Sequence, residues 1–176
     1  DLDHGSQPHA LYQQLLQSLA TNGTLVAIAS KNDPNVVTQA LKRTDLRLEA
    51  SMVFPLEVGW GAKSEMIDRI LAAWNVAADA VAFVDDSSFE LEEARSRHPS
   101  LVCLQFPADP AAALELCREL RDRCGRAAPS AEDRLRRAGL VARANAESER
   151  VASGTSMEDF LAGLNARTTI SFGCRQ

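Results

Sequence analysis

The first 125 residues alternate between two patterns of apolar positions, one typical of helices and one typical of buried strands. Leucines recur at helical spacing in residues 8–19, and Asn22-Gly23 predicts the end of this helix. The next apolar run, residues 24–29, is continuous, as expected for a strand covered on both faces. The pattern therefore opens with a helix followed by a buried strand.

The same alternation continues to about residue 125. Asp33 before Pro34 predicts a helix cap, and Ser87 with Glu90 has the spacing of a capping box. Strands and helices that alternate in this way predict an α/β fold, with a parallel sheet covered by helices on both faces in three layers. The further predicted strands are residues 53–58, 81–84 and 101–106, and the further predicted helices are residues 34–42, 63–74, 88–97 and 110–125.

The composition changes after Pro129. Ser130 predicts the cap of a long, charged, alanine-rich helix, and a second helix and a strand are predicted over residues 156–164 and 168–172. A chain of 176 residues is long enough for one buried core and a small appendage. We therefore predict an α/β catalytic core over residues 1–126 and a helical C-terminal appendage over residues 127–176.

The bulk composition argues against several classes of protein. A net charge of −5 and an aromatic content of 5% are unlike those of nucleic-acid binders. No apolar run approaches the length needed to cross a bilayer. The four cysteines have no C-x-x-C spacing, which argues against a zinc site and a redox motif. We expect Cys103 to be a core residue and the protein to be cytoplasmic, since a reducing compartment suits unpaired thiols.

Two pairs of acidic residues indicate a metal site. Asp85 and Asp86 follow the predicted strand 81–84, and Asp1 and Asp3 open the chain. Neighbouring carboxylates repel each other unless a cation or a proton relieves the charge, and Mg²⁺ suits a site made of oxygen ligands. The alternative for Asp1 and Asp3 is a pair of surface acids near a terminus.

Lys63 opens a predicted helix, where a cation opposes the helix dipole and is disfavoured without an anion nearby. A bound phosphate would supply that anion. The alternative is a flexible lysine that points into solvent.

The order Asp1-Leu2-Asp3, Ser30, Lys63, Asp85-Asp86 resembles the four motifs of the haloacid dehalogenase superfamily of phosphoryl-transfer enzymes. The resemblance implies the Rossmann-like three-layer fold of that superfamily. It implies that Asp1 is the nucleophile and Asp3 the general acid and base. It also implies phosphate binding by Ser30, Lys31, Asn32 and Lys63. Of these, Ser30 and Lys63 are also implied to be catalytic. Mg²⁺ binding is implied for Asp1, Asp3, Asp85 and Asp86.

Longer strings resemble the FkbH-like branch of this superfamily, which serves polyketide biosynthesis. Members of that branch take a glyceryl unit from 1,3-bisphosphoglycerate and load it onto an acyl carrier protein. The resemblance thus implies a glyceryl transferase with two partners, a small phosphorylated three-carbon substrate and the phosphopantetheine thiol of the carrier. The alternatives are a small-molecule phosphatase and a non-catalytic docking domain of a synthase. The strings are residues 1–4, 29–34, 60–65, 83–90, 131–134 and 154–161.

The start of the chain departs from the superfamily pattern, which has Thr after Asp-x-Asp and, in this branch, a further loop. Here His4 is followed by Gly5-Ser6. We expect a loop able to carry an acyl-accepting cysteine to be missing at the His4-Gly5 junction. Because neither Met nor an apolar strand stands before Asp1, we also expect the sequence to be part of a longer domain.

Overall fold

The computed structural model of the chain describes residues 7–125, 130, 135, 136, 138–143 and 146. Helices and strands alternate in it as the apolar pattern predicts, and short 3₁₀ turns precede the second and third strands. The helices are α1 (Gln7–Thr21), α2 (Pro34–Leu41), α3 (Lys63–Trp74), α4 (Ser88–Arg97) and α5 (Pro110–Cys124), and the strands are β1 (Val26–Ser30), β2 (Val53–Val58), β3 (Ala82–Asp85) and β4 (Val102–Gln105).

Side-chain caps and proline explain where several helices begin. The Asp33 carboxylate accepts a hydrogen bond of 2.7 Å from the backbone N–H of Asn35, and Pro34 occupies the first turn of α2. Asp109 caps α5 in the same way, through the backbone N–H of Ala112 at 2.8 Å. The predicted cap at Asp33 is therefore confirmed.

The strands form two parallel ladders, β1 with β2 and β3 with β4. An apolar cavity of about 580 Å³ lies between β1 and β3 and is lined by side chains of both strands and of helices on either side. In the described part of the chain, β1 and β3 each pair with one neighbour only. The predicted α/β class with parallel strands is confirmed.

Helix α3 has more buried residues than any other described helix. Met66, Ile67, Ile70 and Trp74 are buried on one face, and the Trp74 indole N–H donates to the carbonyl of Phe54 at 2.7 Å. Ile67 belongs to a core cluster that also holds Ala94 of α4 and Leu101. This packing fixes α3 against β2 and α4, and so it fixes the position of the residue that opens the helix.

The chain divides into two compact units, Asp1–Leu140 and Val141–Gln176. Residues 135, 136, 138–143 and 146 are helical, in the region predicted to form the charged helix. The helix predicted over 156–164 and the strand predicted over 168–172 lie outside the described residues, and the predicted boundary after residue 126 stays a prediction. No helix within the described ranges has the length and apolar character of a membrane span.

Candidate active site at the carboxyl ends of the strands

Three elements bring chemically active groups to one edge of the fold. Ser30 ends β1, Asp85 ends β3, and Lys63 opens α3 after β2. The Lys63 ammonium joins the two ladders, because it donates to the carbonyl of Ala29 in β1 and pairs with Asp85 in β3. In α/β folds this edge, beyond the carboxyl ends of parallel strands, is where ligands bind.

Lys63 is buried and fully engaged. Its Nζ lies 2.6 Å from the Ala29 carbonyl oxygen and 3.0 Å from Asp85 Oδ2, and the two paired side chains are only 9% and 10% exposed. The Phe83 ring lies under the ammonium, 5.9 Å from Nζ to the centroid. The alternative of a solvent-pointing lysine is therefore wrong, and the anion that compensates Lys63 in this structure is the Asp85 carboxylate.

Asp85 uses both of its carboxylate oxygens. Oδ2 faces Lys63, and Oδ1 accepts a hydrogen bond of 2.9 Å from the backbone N–H of Ser87. These contacts hold the carboxylate at the end of β3 and fix its orientation. The predicted crowding of like charges at Asp85-Asp86 is thus relieved in part by an ammonium group.

Lys31 forms the second ion pair of this edge. Its Nζ lies 2.9 Å from Glu90 Oε1, and this hydrogen bond raises the pKa of Lys31 above its ordinary value of 10.5. Ser87 Oγ accepts from the backbone N–H of Glu90, as the predicted capping box requires. The other half of the box is not formed, because the Glu90 carboxylate turns to Lys31 and the Ser87 N–H turns to Asp85.

Glu93, which lies one turn after Glu90, caps α3 from outside that helix. Its Oε2 accepts from the backbone N–H of Lys63 at 3.0 Å, and its Oε1 accepts from the backbone N–H of Ser64 at 3.1 Å and from the Ser64 hydroxyl. Burial raises the pKa of the Glu93 carboxyl, but the hydrogen bonds from Ser64 and Lys63 outweigh burial and hold it below its ordinary value of 4.5.

The sequence predicted Glu90 only as part of a capping box, and it gave no role to Glu93. Their three-residue spacing, which places two side chains on one helix face, was the available signal. Their partners lie 59 and about 30 residues away along the chain, at distances that local spacing does not predict.

The other predicted site residues have local contacts or lie outside the described residues. Ser30 is half-buried, and its carbonyl accepts from the Gly59 N–H at 3.0 Å. Asn32 Oδ1 accepts from the Asp33 N–H at 2.8 Å. Asp86 is exposed, and its carbonyl accepts from the Gln105 side chain at 3.0 Å. Asp1 and Asp3 lie outside the described residues, so their predicted roles stay predictions.

The charges at this edge do not balance. The ammonium groups of Lys31 and Lys63 pair with the carboxylates of Glu90 and Asp85, and the Glu93 carboxylate beside them adds a further negative charge. The described residues include no cluster of three or more His, Cys, Asp or Glu side chains that could hold a metal ion. Asp85 is an oxygen ligand of the kind that Mg²⁺ prefers, and a complete ligand set here would draw on residues outside the described ones.

Three cysteines lie in the described chain, and all three are partly buried. Burial raises the pKa of Cys103, Cys117 and Cys124 above the ordinary value of 9.0. A thiol with a raised pKa is protonated at neutral pH, whereas acyl transfer requires the thiolate. The raised pKa therefore disfavours these three cysteines as acyl-accepting groups.

Comparison with solved structures identifies a similar fold. A crystal structure of the N-terminal part of the protein BF1531 from Bacteroides fragilis, which contains a phosphatase domain and is complexed with Mg, matches with a TM-score of 0.61. The two sequences are 24% identical, and the match covers 65% of this chain and 31% of that chain. This chain thus spans about a third of that structure. No protein-family model and no curated protein matches the sequence. The comparison shows that the α/β fold of this chain is similar to part of that structure.

Proposed function

We propose that this domain is a Mg²⁺-dependent phosphoryl-transfer enzyme of the phosphatase type, with a small phosphorylated molecule as its substrate. The observation that carries the proposal is the buried pair of Lys63 and Asp85 at the carboxyl edge of parallel strands. A buried ion pair is costly to desolvate and is weak evidence for stability, so its place at the ligand-binding edge favours a functional role.

The two lysines would bind and stabilise the phosphoryl group. Lys63 is the better placed, because the Ala29 carbonyl and the Asp85 carboxylate hold its ammonium and Glu93 fixes its backbone N–H. A fixed cation needs no reorganisation as charge moves onto the phosphoryl oxygens, which is how such groups lower a barrier. Lys31, held by Glu90, is more exposed and would contact the outer part of the substrate.

Magnesium would offset the excess of carboxylates at this edge. A phosphate dianion entering a site with surplus negative charge is repelled unless a further cation is bound. Asp85 would supply one ligand, with Asp1 and Asp3 as the others that the motif resemblance implies. When bound, Mg²⁺ would supply charge neutralisation for the phosphoryl oxygens. The Mg in the similar Bacteroides structure supports this choice of metal.

The reaction follows from the roles that the resemblance gives to the two acids of the first motif. The Asp1 carboxylate attacks phosphorus, and the bond from phosphorus to the leaving oxygen breaks while Asp3 donates a proton to that oxygen. Water then attacks phosphorus in the aspartyl-phosphate while Asp3 takes a proton from the water. The bond from phosphorus to the Asp1 oxygen breaks, which frees Asp1 and releases inorganic phosphate. Release of phosphate from small three-carbon phosphates, with Mg²⁺ and with a chelator, tests the proposal, and equal rates in both conditions would contradict it.

Glyceryl transfer is the second candidate, and the strings shared with the FkbH-like branch favour it. Two exposed aromatics lie within these strings, Trp60 at 77% and Phe89 at 73% exposure, in the segments that follow β2 and β3. Exposed aromatic residues beside a site are typical anchors for a partner. In this reaction the acyl carbon of 1,3-bisphosphoglycerate forms a thioester with the carrier thiol, which loses its proton, while the bond from the acyl carbon to the phosphate oxygen breaks and phosphate leaves. Hydrolysis of the remaining phosphate ester then leaves a glyceryl group on the carrier.

The two functions differ in their products. Intact-mass measurement of a phosphopantetheinylated acyl carrier protein, incubated with the domain, Mg²⁺ and 1,3-bisphosphoglycerate, detects a glyceryl thioester directly. A carrier that stays unmodified, with phosphate released at the same rate with and without it, would leave hydrolysis as the function. A domain that neither releases phosphate nor modifies the carrier would leave the docking role.

A further inference from the structure

We infer that Glu93 is a positioning residue for Lys63: it caps the helix that Lys63 opens and so holds the lysine ammonium at the site. The inference rests on the proposed phosphoryl transfer for its role in activity. The geometry behind it is independent of that reaction.

Helix α3 has no cap in its own sequence. Ala62 occupies the N-cap position and makes no side-chain hydrogen bond. The first N–H groups of a helix have no partner within it and need an acceptor, and a helix end without one frays. Lys63 and Ser64 are the first two residues of α3 and are only 7% and 6% exposed, so water is a poor substitute here.

The Glu93 carboxylate supplies the missing cap from α4. It accepts both of these backbone N–H groups and the Ser64 hydroxyl. A negative carboxylate at the start of the helix also interacts favourably with the helix dipole, whereas the positive charge of Lys63 interacts unfavourably with it. One side chain thus does what an N-cap residue does and ties α3 to α4 at the same point.

The cap positions the ammonium because the capped N–H group and the ammonium both belong to Lys63. The Lys63 N–H is fixed by Glu93, while its Nζ reaches Ala29 and Asp85 on the two ladders. If the first turn of α3 frays, the lysine stem loses its anchor and the ammonium moves away from the edge. A displacement of about 1 Å in a positioned group can lower a rate by about a hundredfold.

The matched variants are Glu93→Ala and Glu93→Gln, with Glu92→Gln as the control. Glu92 is the neighbouring acid on α4, but its side chain is exposed and pairs with Arg95 on the surface. Glu93→Gln keeps the shape and an acceptor oxygen, and it replaces Glu93→Ala if the alanine variant does not unfold cooperatively.

The first measurement needs no activity. Acetylation of Lys63, read by mass spectrometry relative to the exposed Lys42 in the same molecule, reports how firmly the ammonium is held. We expect Lys63 to react about tenfold faster in Glu93→Ala, a loss of protection typical of local opening, and at the wild-type rate in Glu92→Gln. An unchanged Lys63 rate in a folded Glu93→Ala variant would overturn the inference.

The second measurement separates positioning from general support of the fold. In the wild-type background, Glu93→Ala should lower kcat for phosphate release about tenfold to a hundredfold. In a Lys63→Met background, the same substitution should leave kcat nearly unchanged. An equal fall in both backgrounds would overturn the inference. If the wild type releases no phosphate, the proposed function fails, while the acetylation rates still decide the role of Glu93.

Discussion

Lys63 and Asp85 form a buried ion pair at the carboxyl edge of the two parallel ladders, with Lys63 Nζ 3.0 Å from Asp85 Oδ2. The lysine comes from the start of α3 and the aspartate from the end of β3, and the same Nζ donates to Ala29 of β1. The pair therefore links both ladders at the edge where a ligand would bind.

Removing one partner of this pair should lower the free energy of unfolding more than removing both partners together. Lys63→Met leaves the buried Asp85 carboxylate without its ammonium, and we expect the free energy of unfolding to fall by about 3 kcal/mol. Adding Asp85→Asn should restore part of this loss, because the amide carries no charge. Urea unfolding of the two single variants and the double variant measures the coupling.

The exposed pair of Arg43 and Asp45 is the matched control, since both side chains are more than 60% exposed. Its removal should change the urea midpoint little. Strictly additive effects of Lys63→Met and Asp85→Asn would show that the buried pair is not coupled.

Asp85→Asn should weaken Mg²⁺ binding by about tenfold or more, the loss typical of disturbing the surroundings of a metal. Asp86→Asn should cause a smaller loss, because the Asp86 side chain is exposed and the Asp85 carboxylate is held in place by Lys63 and Ser87. Calorimetric titration of Mg²⁺ into each variant checks this order. An affinity unchanged by Asp85→Asn would remove Asp85 from the site.

The starts of helices were predictable because they depend on neighbours in the sequence. The predicted helix 63–74 coincides with Lys63–Trp74, and the Asp33 cap forms as its Asp-Pro spacing predicts. The Glu90 half of the capping box failed because Lys31 offers its carboxylate a charged partner. A charge-assisted bond is stronger than one to a neutral N–H, and competition of this kind is settled by tertiary structure.

The positions of the lysine and the aspartate in the candidate site could be predicted from the sequence, but the contacts that hold them could not. The positions of Lys63 and Asp85 follow from where a helix begins and a strand ends. Their direct pairing and the Glu93 cap depend on contacts across the fold, about which hydrophobic periodicity carries no information.

Glu93 should make stability depend on pH in the acid range. Its pKa is lowered in the folded state, so its contribution is complete above the unfolded value of about 4.5 and is lost as pH falls through the lower folded value. Glu93→Gln cannot titrate there. The stability advantage of the wild type over this variant should therefore shrink as pH falls from 6 to 3, measured by urea midpoints, and a constant difference would contradict the account.

The three described cysteines should react slowly with iodoacetamide at neutral pH. Burial raises the pKa of Cys103, Cys117 and Cys124, so little thiolate is present. Peptide mapping should show labelling that rises strongly in urea. Rapid labelling of any of them in the folded protein would restore that thiol as a candidate acyl acceptor.

The central claim is that the edge holding Lys63 and Asp85 performs Mg²⁺-dependent phosphoryl transfer. Its most direct test is the rate of phosphate release from 1,3-bisphosphoglycerate at saturating Mg²⁺ by the wild type, Lys63→Met and the Glu92→Gln control. We predict that a chelator abolishes phosphate release. Lys63→Met should lower the rate by about a hundredfold, as expected for the loss of one stabilising charge, and Glu92→Gln should leave it unchanged. Release at the same rate in folded Lys63→Met and wild type would contradict the account.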